Sequence, residues 1–428
     1  MNAELTHQQA DAVADLVQTL AQQAQAAAAQ LRTATTAAKN HALLGIAAGL
    51  EQHTDTLLAA NAKDLAEAQQ QGLDAALIDR LRLTQPSIAA MAQAVRTVAQ
   101  LDDPVGMIDH QRRLPSGIEV GQMRVPIGVL GMIYEARPNV TIDAAALCLK
   151  SSNAVILRGG KEAIHSNRAL AQVVAEALAA SSLPEHSVQL VSTTHRDAVA
   201  AMVTAKGLID VIIPRGGKGL IQLIDAIAQV PVIRHLDGNC HIYVDQAAAA
   251  SKATAIVLNA KTRRYGVCNA LETLLVHAAM AESWLPGMAR LLQEKGVELR
   301  GCAQTQALCS GCLPATEEDW FEEYLAPILA IKVVSDAAEA MAHIQQYGSG
   351  HTDAIVTEDL TLARVFLTQV DSSSVLVNAS TSFADGGEYG LGAEIGISTN
   401  KLHARGPVGL FGLTTQKYVV FGDGHIRS

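Results

Sequence analysis

The chain has 428 residues, 49% apolar and 17% charged, with a formal net charge of −10 at pH 7. A length of this order suggests two or three domains, and so apolar a composition excludes intrinsic disorder. The acidic balance provides no basic field for nucleic acid or an anionic membrane, and 3% aromatics leave little for base stacking. An enzyme acting on a small molecule is the expectation.

The N-terminal segment is polar and rich in Gln and Ala, without the basic and apolar regions of a signal peptide. No stretch reaches the roughly 18 apolar residues of a membrane span. Cysteines at 148, 240, 268, 302, 309 and 312 are too few for a disulfide framework in a chain this long, so reduced thiols and a cytoplasmic setting are expected.

Residues 6–101 read as helices broken by short turns, with Ala47, Leu50, Leu57 and Leu58 at helical spacing. Pro86 and Ser87 start a helix, Asp102, Asp103 and Pro104 end it, and the region carries no obvious chemistry. Extended segments at 107–113 and 118–126 flank Pro115, Ser116 and Gly117 and predict a hairpin. Short β-branched runs at 127–134, 154–157, 188–191, 209–213 and 242–244 then alternate with Ala-rich helical stretches. That alternation marks βαβ units and a parallel sheet. Further runs at 271–276, 328–334, 354–356 and 374–377 predict a second α/β region, and 414–421 a final strand.

Two glycine-rich loops, LRGGKE at 157–162 and PRGGKG at 214–219, each follow a predicted strand and open a helix. Backbone N–H groups and the positive helix end favour phosphate there, although neither loop fits a P-loop or GxGxxG spacing. Singly, each is more often just a tight turn. Together, with Arg158, Lys161, Arg215 and Lys218, they raise the phosphate reading. The stretch 390–396 nearly matches GxGxxG, but no strand feeds it, so a substrate-lining loop is the better expectation.

Cys268 lies at a loop-to-strand boundary beside Lys261, Arg263 and Arg264, cations that would favour the nucleophilic thiolate. Cys148 and Cys240 read as buried structural thiols. Cys309 and Cys312, with Cys302 nearby, lack a fourth ligand at matching spacing, so no metal site is expected.

The segments GVLGMIY at 128–134, RPN at 137–139 and SNAVILR at 152–158 resemble the aldehyde dehydrogenase superfamily, as do Cys268 after a glycine and EEYLAP at 322–327. YEARPNVT at 134–141, HLDGNCH at 235–241, YGVCNALET at 265–273 and AMAHIQQYGSGHTDAI at 340–355 resemble, more narrowly, the gamma-glutamyl phosphate reductase family. The resemblance runs from about residue 10 to the C-terminus.

The resemblance implies an α/β, aldehyde-dehydrogenase-like fold with two parallel-sheet domains and a small β oligomerisation appendage. A cofactor domain at 1–106 and 127–233, a catalytic domain at 234–407, and an appendage at 107–126 and 408–428 are expected. So is a homo-oligomer. It also implies NADPH-dependent reduction of L-glutamate 5-phosphate to the semialdehyde in proline biosynthesis, with Cys268 as nucleophile. Glutamate kinase, acting upstream, becomes a candidate partner. Asn139 or Arg137 would join the Cys268 backbone N–H in stabilising the oxyanion. Arg137, Arg263, Arg264 and His351 would bind the anionic substrate, His351 being equally readable as a loop histidine capping a turn. Arg158 and Lys161 would meet the adenosine 2′-phosphate, Arg215, Gly216, Gly217, Lys218 and Gly219 the pyrophosphate, and Glu323 the nicotinamide ribose. Glu323 could instead be one of several exposed acids. HLDG at 235–238 stands where hydrolytic relatives carry an ELGG segment with a general-base glutamate, and the loss of that glutamate spares a thioester destined for hydride. Another acyl-phosphate- or aldehyde-oxidising superfamily member, or a silent scaffold on the fold, are the rival expectations.

Overall fold

The computed structural model of the chain describes residues 2–427. Five helices come first: Asn2–Leu31, Thr36–Gln52, Thr54–Gln70, Ala75–Leu81 and Gln85–Gln100. The last begins with a capping box, in which the Thr84 and Ser87 side chains bond each other's backbone N–H groups, and carries Pro86 in its first turn. Both devices satisfy helix-start donors that would otherwise be orphaned. Alanines 21, 24, 42, 47 and 92, all buried, belong to the core these helices share with the first sheet.

The first sheet is parallel, with Val129–Tyr134 at its centre, Ala154–Gly159 and Val188–Leu190 on one side, and Val211–Arg215 on the other. Every residue of Val129–Tyr134 and Ala154–Gly159 is buried, as expected for strands covered on both faces. The same core includes Ile395, Val408 and Leu413, so the chain returns to it near the C-terminus.

The second sheet is also parallel. Cys240–Val244 lies between Leu271–His277 and Thr352–Val356, and Ser374–Val377 closes one edge. Towards the other edge follow Ile328–Val334, Glu298–Gly301 and Leu313–Pro314. The last two strands have no counterpart among the β-branched runs, being four and two residues long.

The predicted hairpin forms from Ile108–Arg113 and Glu119–Pro126, turning through Gly117 at φ 91°. Thr414–Phe421 pairs antiparallel along the whole second strand, making a three-stranded sheet with exposed Tyr418, Val420 and Phe421. No helix of the described residues is long and apolar enough to cross a membrane.

Candidate active site

Three neighbouring strands of the second sheet determine the site. The segment entering Cys240–Val244 carries His235, that entering Leu271–His277 carries Cys268, and that entering Thr352–Val356 carries His351. One ligand atom from each lies within 4.8 Å of the others, and the imidazole rings meet edge to face at 5.4 Å. The backbone of Gly238 presses on that of Cys268 so closely that a Cβ there would stand 1.9 Å from the Cys268 carbonyl oxygen. The Cys240 thiol donates to the same carbonyl at 3.1 Å, and the Gly238 N–H donates to Glu323 Oε1 at 2.8 Å. The nucleophile candidate is therefore held through its main chain.

Beside it opens a cavity of about 350 Å³, lined by Gly266 and Val267 just before Cys268. Four arginines face it, Arg80, Arg137, Arg215 and Arg264, against two acids, Asp143 and Glu394. Asn139 lines it too, with its amide donating to Asp143 Oδ2 at 2.9 Å. Burial and the neighbouring Arg215 and Arg80 lower Arg137 to about 10, while burial raises Asp143 to about 6. Such a concentration of positive charge, half-buried at Arg137 and Arg215 and exposed at Arg80 and Arg264, favours an anion.

The electrostatics at Cys268 correct the sequence reading. Burial pushes its thiol up to about 11, and the cation that opposes this is Arg215. Lys261, expected to activate the thiol, is wholly buried in an ion pair with Glu272 at 2.6 Å. Its charge is spent on holding a helix to a strand. Arg263 is exposed at the end of the helix Ala250–Thr262 and does not line the cavity, whereas Arg264 does. His351 is fully buried, its Nδ1 2.8 Å from Thr352 Oγ1, and burial holds it down to about 3. His235 is likewise lowered by burial and by Arg215, and its Nδ1 meets the Ile397 carbonyl at 3.1 Å.

Sequence reasoning passed over Arg80 and His235. Arg80 sits in the short helix Ala75–Leu81, within the stretch read as free of chemistry. No local pattern marks it, because it reaches the site from a separate element. His235 was legible only as part of the HLDGNCH motif.

The glycine loops occupy the carboxyl end of the first sheet. Arg215 ends the strand Val211–Arg215, and its carbonyl accepts from Glu135 at 3.1 Å. Its side chain, expected at a pyrophosphate, faces the arginine-lined cavity. The helix Lys218–Ile227 starts at Gly217 without a side-chain cap, and open space surrounds Gly217 and Gly219. Gly216 is crowded by Glu135 and Leu220, and the Gly217 N–H donates to Glu135 Oε2 at 3.0 Å. Lys218 pairs with Asp237 at 3.2 Å. Lys161 is exposed at the first loop, and Arg158 is buried, donating to the Thr194 carbonyl at 3.1 Å while its Nε has no partner.

The carboxylates around Cys268 are restrained. One Glu323 oxygen is held by Gly238 and one Glu394 oxygen by the Gly386 N–H at 2.9 Å, with burial raising both acids. Glu394 lies within the near-GxGxxG stretch 390–396 and, with Ile395, lines the cavity wall.

The sequence matches the aldehyde dehydrogenase family over residues 1–300. Among solved structures, gamma-glutamyl phosphate reductase from Thermotoga maritima is 45% identical, covering 96% of this chain and 100% of its own, with a TM-score of 0.94. The gamma-glutamyl phosphate reductase from Saccharomyces cerevisiae is 32% identical over 96% of this chain and 98% of its own, with a TM-score of 0.54. An acetylating aldehyde dehydrogenase from Geobacillus thermoglucosidasius shares the fold at 18% identity and a TM-score of 0.69, over 98% of this chain and 99% of its own. With its nucleophile candidate, its two parallel sheets and these similarities together, the chain belongs to the aldehyde dehydrogenase family, in its gamma-glutamyl phosphate reductase branch.

Proposed function

We propose that the chain reduces L-glutamate 5-phosphate to L-glutamate 5-semialdehyde and phosphate, with Cys268 as nucleophile and NADPH as reductant. The observation that carries this reading is the cavity beside Cys268, where four arginines outnumber two acids. A substrate bearing both a phosphate and a carboxylate matches that imbalance. A simple aldehyde does not.

Arg137 and Arg264 are assigned to the substrate, together with Arg80; His351, expected with them, is fully buried, kept neutral and off the cavity wall. Arg263, expected with them, would act only through the general field, since it lies off the cavity wall. The Cys268 thiolate attacks the acyl carbon, the bond from carbon to the phosphate oxygen breaks, and inorganic phosphate leaves a thioester. Negative charge on the attacked oxygen is stabilised by the Cys268 backbone N–H and the Asn139 amide, each such donor worth on the order of 3 kcal/mol in the transition state. A nicotinamide dinucleotide, when bound, supplies the hydride that reduces the thioester. The resulting thiohemiacetal oxyanion collapses, releasing the aldehyde and returning the Cys268 thiolate. Water must stay passive while the thioester lasts. Asp237 is paired with Lys218, and Glu323 is tied to Gly238, so neither is left fully free to activate it.

The residues present fit a phosphorylated dinucleotide. At the helix start after Gly217, no side chain caps the N–H groups of Lys218 and Gly219, and Arg158 carries an orphaned buried Nε. We assign Gly216, Gly217, Lys218 and Gly219 to the pyrophosphate, Arg158 and Lys161 to the 2′-phosphate, and Glu323 to the nicotinamide ribose. Arg215, on the cavity wall, serves Cys268 and the substrate better than the pyrophosphate. We further assign residues 107–126 and 408–428 to a homo-oligomer appendage, residues 1–106 and 127–233 to the cofactor domain and 234–407 to the catalytic domain, except that Ile395, Ala404, Val408, Leu410 and Leu413 pack into the core of the first sheet. The cytoplasm is the setting in which an upstream glutamate kinase would supply the labile acyl phosphate.

The test is NADPH oxidation with glutamate 5-phosphate by the wild type and by Cys268→Ser. Turnover that requires Cys268 and releases phosphate supports the reading. Equal turnover by Cys268→Ser, or robust oxidation of simple aldehydes without phosphate, overturns it.

A further inference from the structure

We propose that Cys268, His235 and His351 form a binding site for a divalent transition-metal cation of the zinc class. Bound there, the cation holds the protein in an inactive state. The three candidate ligand atoms lie within 4.8 Å of one another. A tetrahedral zinc with sulfur at about 2.3 Å and nitrogen at about 2.0 Å brings its ligands to roughly 3.5 Å apart. Small side-chain rotations close the difference. Cys268, only half-buried, has the freedom to make them.

Both histidines are prepared as ligands. His235 has its Nδ1 at the Ile397 carbonyl, so Nδ1 carries the proton and Nε2 keeps its lone pair. His351 has Nδ1 at Thr352 Oγ1, and its Nε2 is buried with no hydrogen-bond partner at all. A buried nitrogen left without a partner is uncommon in a folded protein and asks for one. A ring fixed through its other nitrogen is the usual arrangement behind a metal-bound histidine. Cys268 meanwhile is fixed at its carbonyl by Cys240 and walled by Gly238, so its side chain can turn while its main chain cannot. Arg137 and Arg215 would repel a cation, but Glu323 and Glu394 stand close enough to Cys268 to offset them.

Binding is a balanced exchange. The sulfur–metal bond forms, the sulfur–hydrogen bond breaks, and one proton is released to solvent. With three protein ligands, the fourth position stays open towards the cavity for water or an anion. A sulfur so engaged cannot attack an acyl carbon. The metal site stands independently of the reductase reading; only its effect on turnover rests on that reading.

The experiment uses the full chain stripped with a chelator and titrated with cobalt(II), followed by the thiolate-to-cobalt charge-transfer absorption. One cobalt per chain is expected, displaced by zinc. Cys268→Ser abolishes the band, and His351→Asn and His235→Asn each weaken binding by about tenfold or more. Replacing Cys302, Cys309 and Cys312 together with serine leaves the band in place. Absence of a band, its survival in Cys268→Ser, or indifference to both histidine substitutions overturns the site. In parallel, zinc should abolish turnover of glutamate 5-phosphate, and a chelator should restore it. Cobalt binding without any turnover by the metal-free protein would refute the reductase reading and leave the site standing. Turnover without the cobalt band would do the reverse.

Discussion

Gly238→Ala tests whether the Cys268 main chain is held where the chemistry needs it. The added Cβ would fall 1.9 Å from the Cys268 carbonyl oxygen, whereas such contacts are not found below 3.0 Å. Both partners are backbone, and neither can swing aside as a long side chain would. The two segments must separate by roughly 1 Å, and a displacement of that size at a reacting group costs on the order of 100-fold in rate. That corresponds to about 2.7 kcal/mol of lost transition-state stabilisation. The separation also stretches the Gly238 N–H from Glu323 Oε1, now 2.8 Å away. The assay is kcat/KM for glutamate 5-phosphate, alongside cofactor affinity and thermal unfolding. A folded variant should retain cofactor affinity within a few-fold while kcat falls. If kcat/KM in Gly238→Ala stays within about threefold of wild type, the nucleophile is not positioned through this contact.

Five further outcomes follow from the same geometry. With the thiol at about 11, alkylation of Cys268 by iodoacetamide in the unliganded protein should climb about tenfold per pH unit from 7 to 10; a plateau near pH 8 would contradict the assignment. Arg215→Met removes the cation that favours the thiolate, so the thiol rises further and alkylation at any fixed pH in that range slows. Arg80→Met should raise KM for glutamate 5-phosphate about tenfold with kcat little changed, since losing one charged contact costs about 1.5 kcal/mol; an unchanged KM removes Arg80 from the substrate site. Lys261→Met leaves Glu272 unpaired in the core and should cost about 3–5 kcal/mol in denaturant unfolding, much of it recovered by adding Glu272→Leu. Tyr418→Asp with Val420→Asp should lower the sedimenting mass if the sheet containing Thr414–Phe421 is the oligomer interface; an unchanged mass excludes it.

The architecture was legible where a physical requirement left a local trace. Strands covered on both faces need near-continuous apolar runs, and Val129–Tyr134, Ala154–Gly159 and Ile328–Val334 supply them. Glu298–Gly301 and the edge strand Leu313–Pro314 escaped because short, partly exposed strands need no such run. Cys268 was legible through its motif, but its electrostatics were not. Lys261 is seven residues away in sequence, and nothing local says whether its ammonium reaches the thiol or Glu272. Arg80 and His235 are brought to Cys268 only by tertiary packing. Periodicity reports which way a residue faces on its own element, not which distant element it will meet.

The position of the site follows from how the two sheets are wound. In the first, the chain leaves the central strand Val129–Tyr134, builds outward through Ala154–Gly159 and Val188–Leu190, then returns to place Val211–Arg215 on the other side. The loops leaving Val129–Tyr134 and Val211–Arg215 therefore diverge, and a crevice opens at their carboxyl ends. Arg137 and Asn139 follow the one strand, and Arg215 ends the other. In the second sheet the winding reverses at Cys240–Val244, but there the useful residues precede the strands. His235, Cys268 and His351 enter at the amino ends of three neighbours. One sheet thus offers strand exits carrying cations, and the other offers strand entries carrying a thiol and two imidazoles. Opposing the two satisfies an electrostatic demand that neither meets alone. A thiol raised by desolvation needs nearby positive charge to become nucleophilic, and clustered arginines that repel one another are stabilised by an anion. Arg215 is the residue common to both, since it acts on Cys268 and lines the cavity. Arg215→Met should accordingly damage thiolate formation and substrate affinity together, whereas Arg80→Met should damage affinity alone. Finding the two variants indistinguishable in alkylation rate would show that the sheets are coupled by packing and not by this charge.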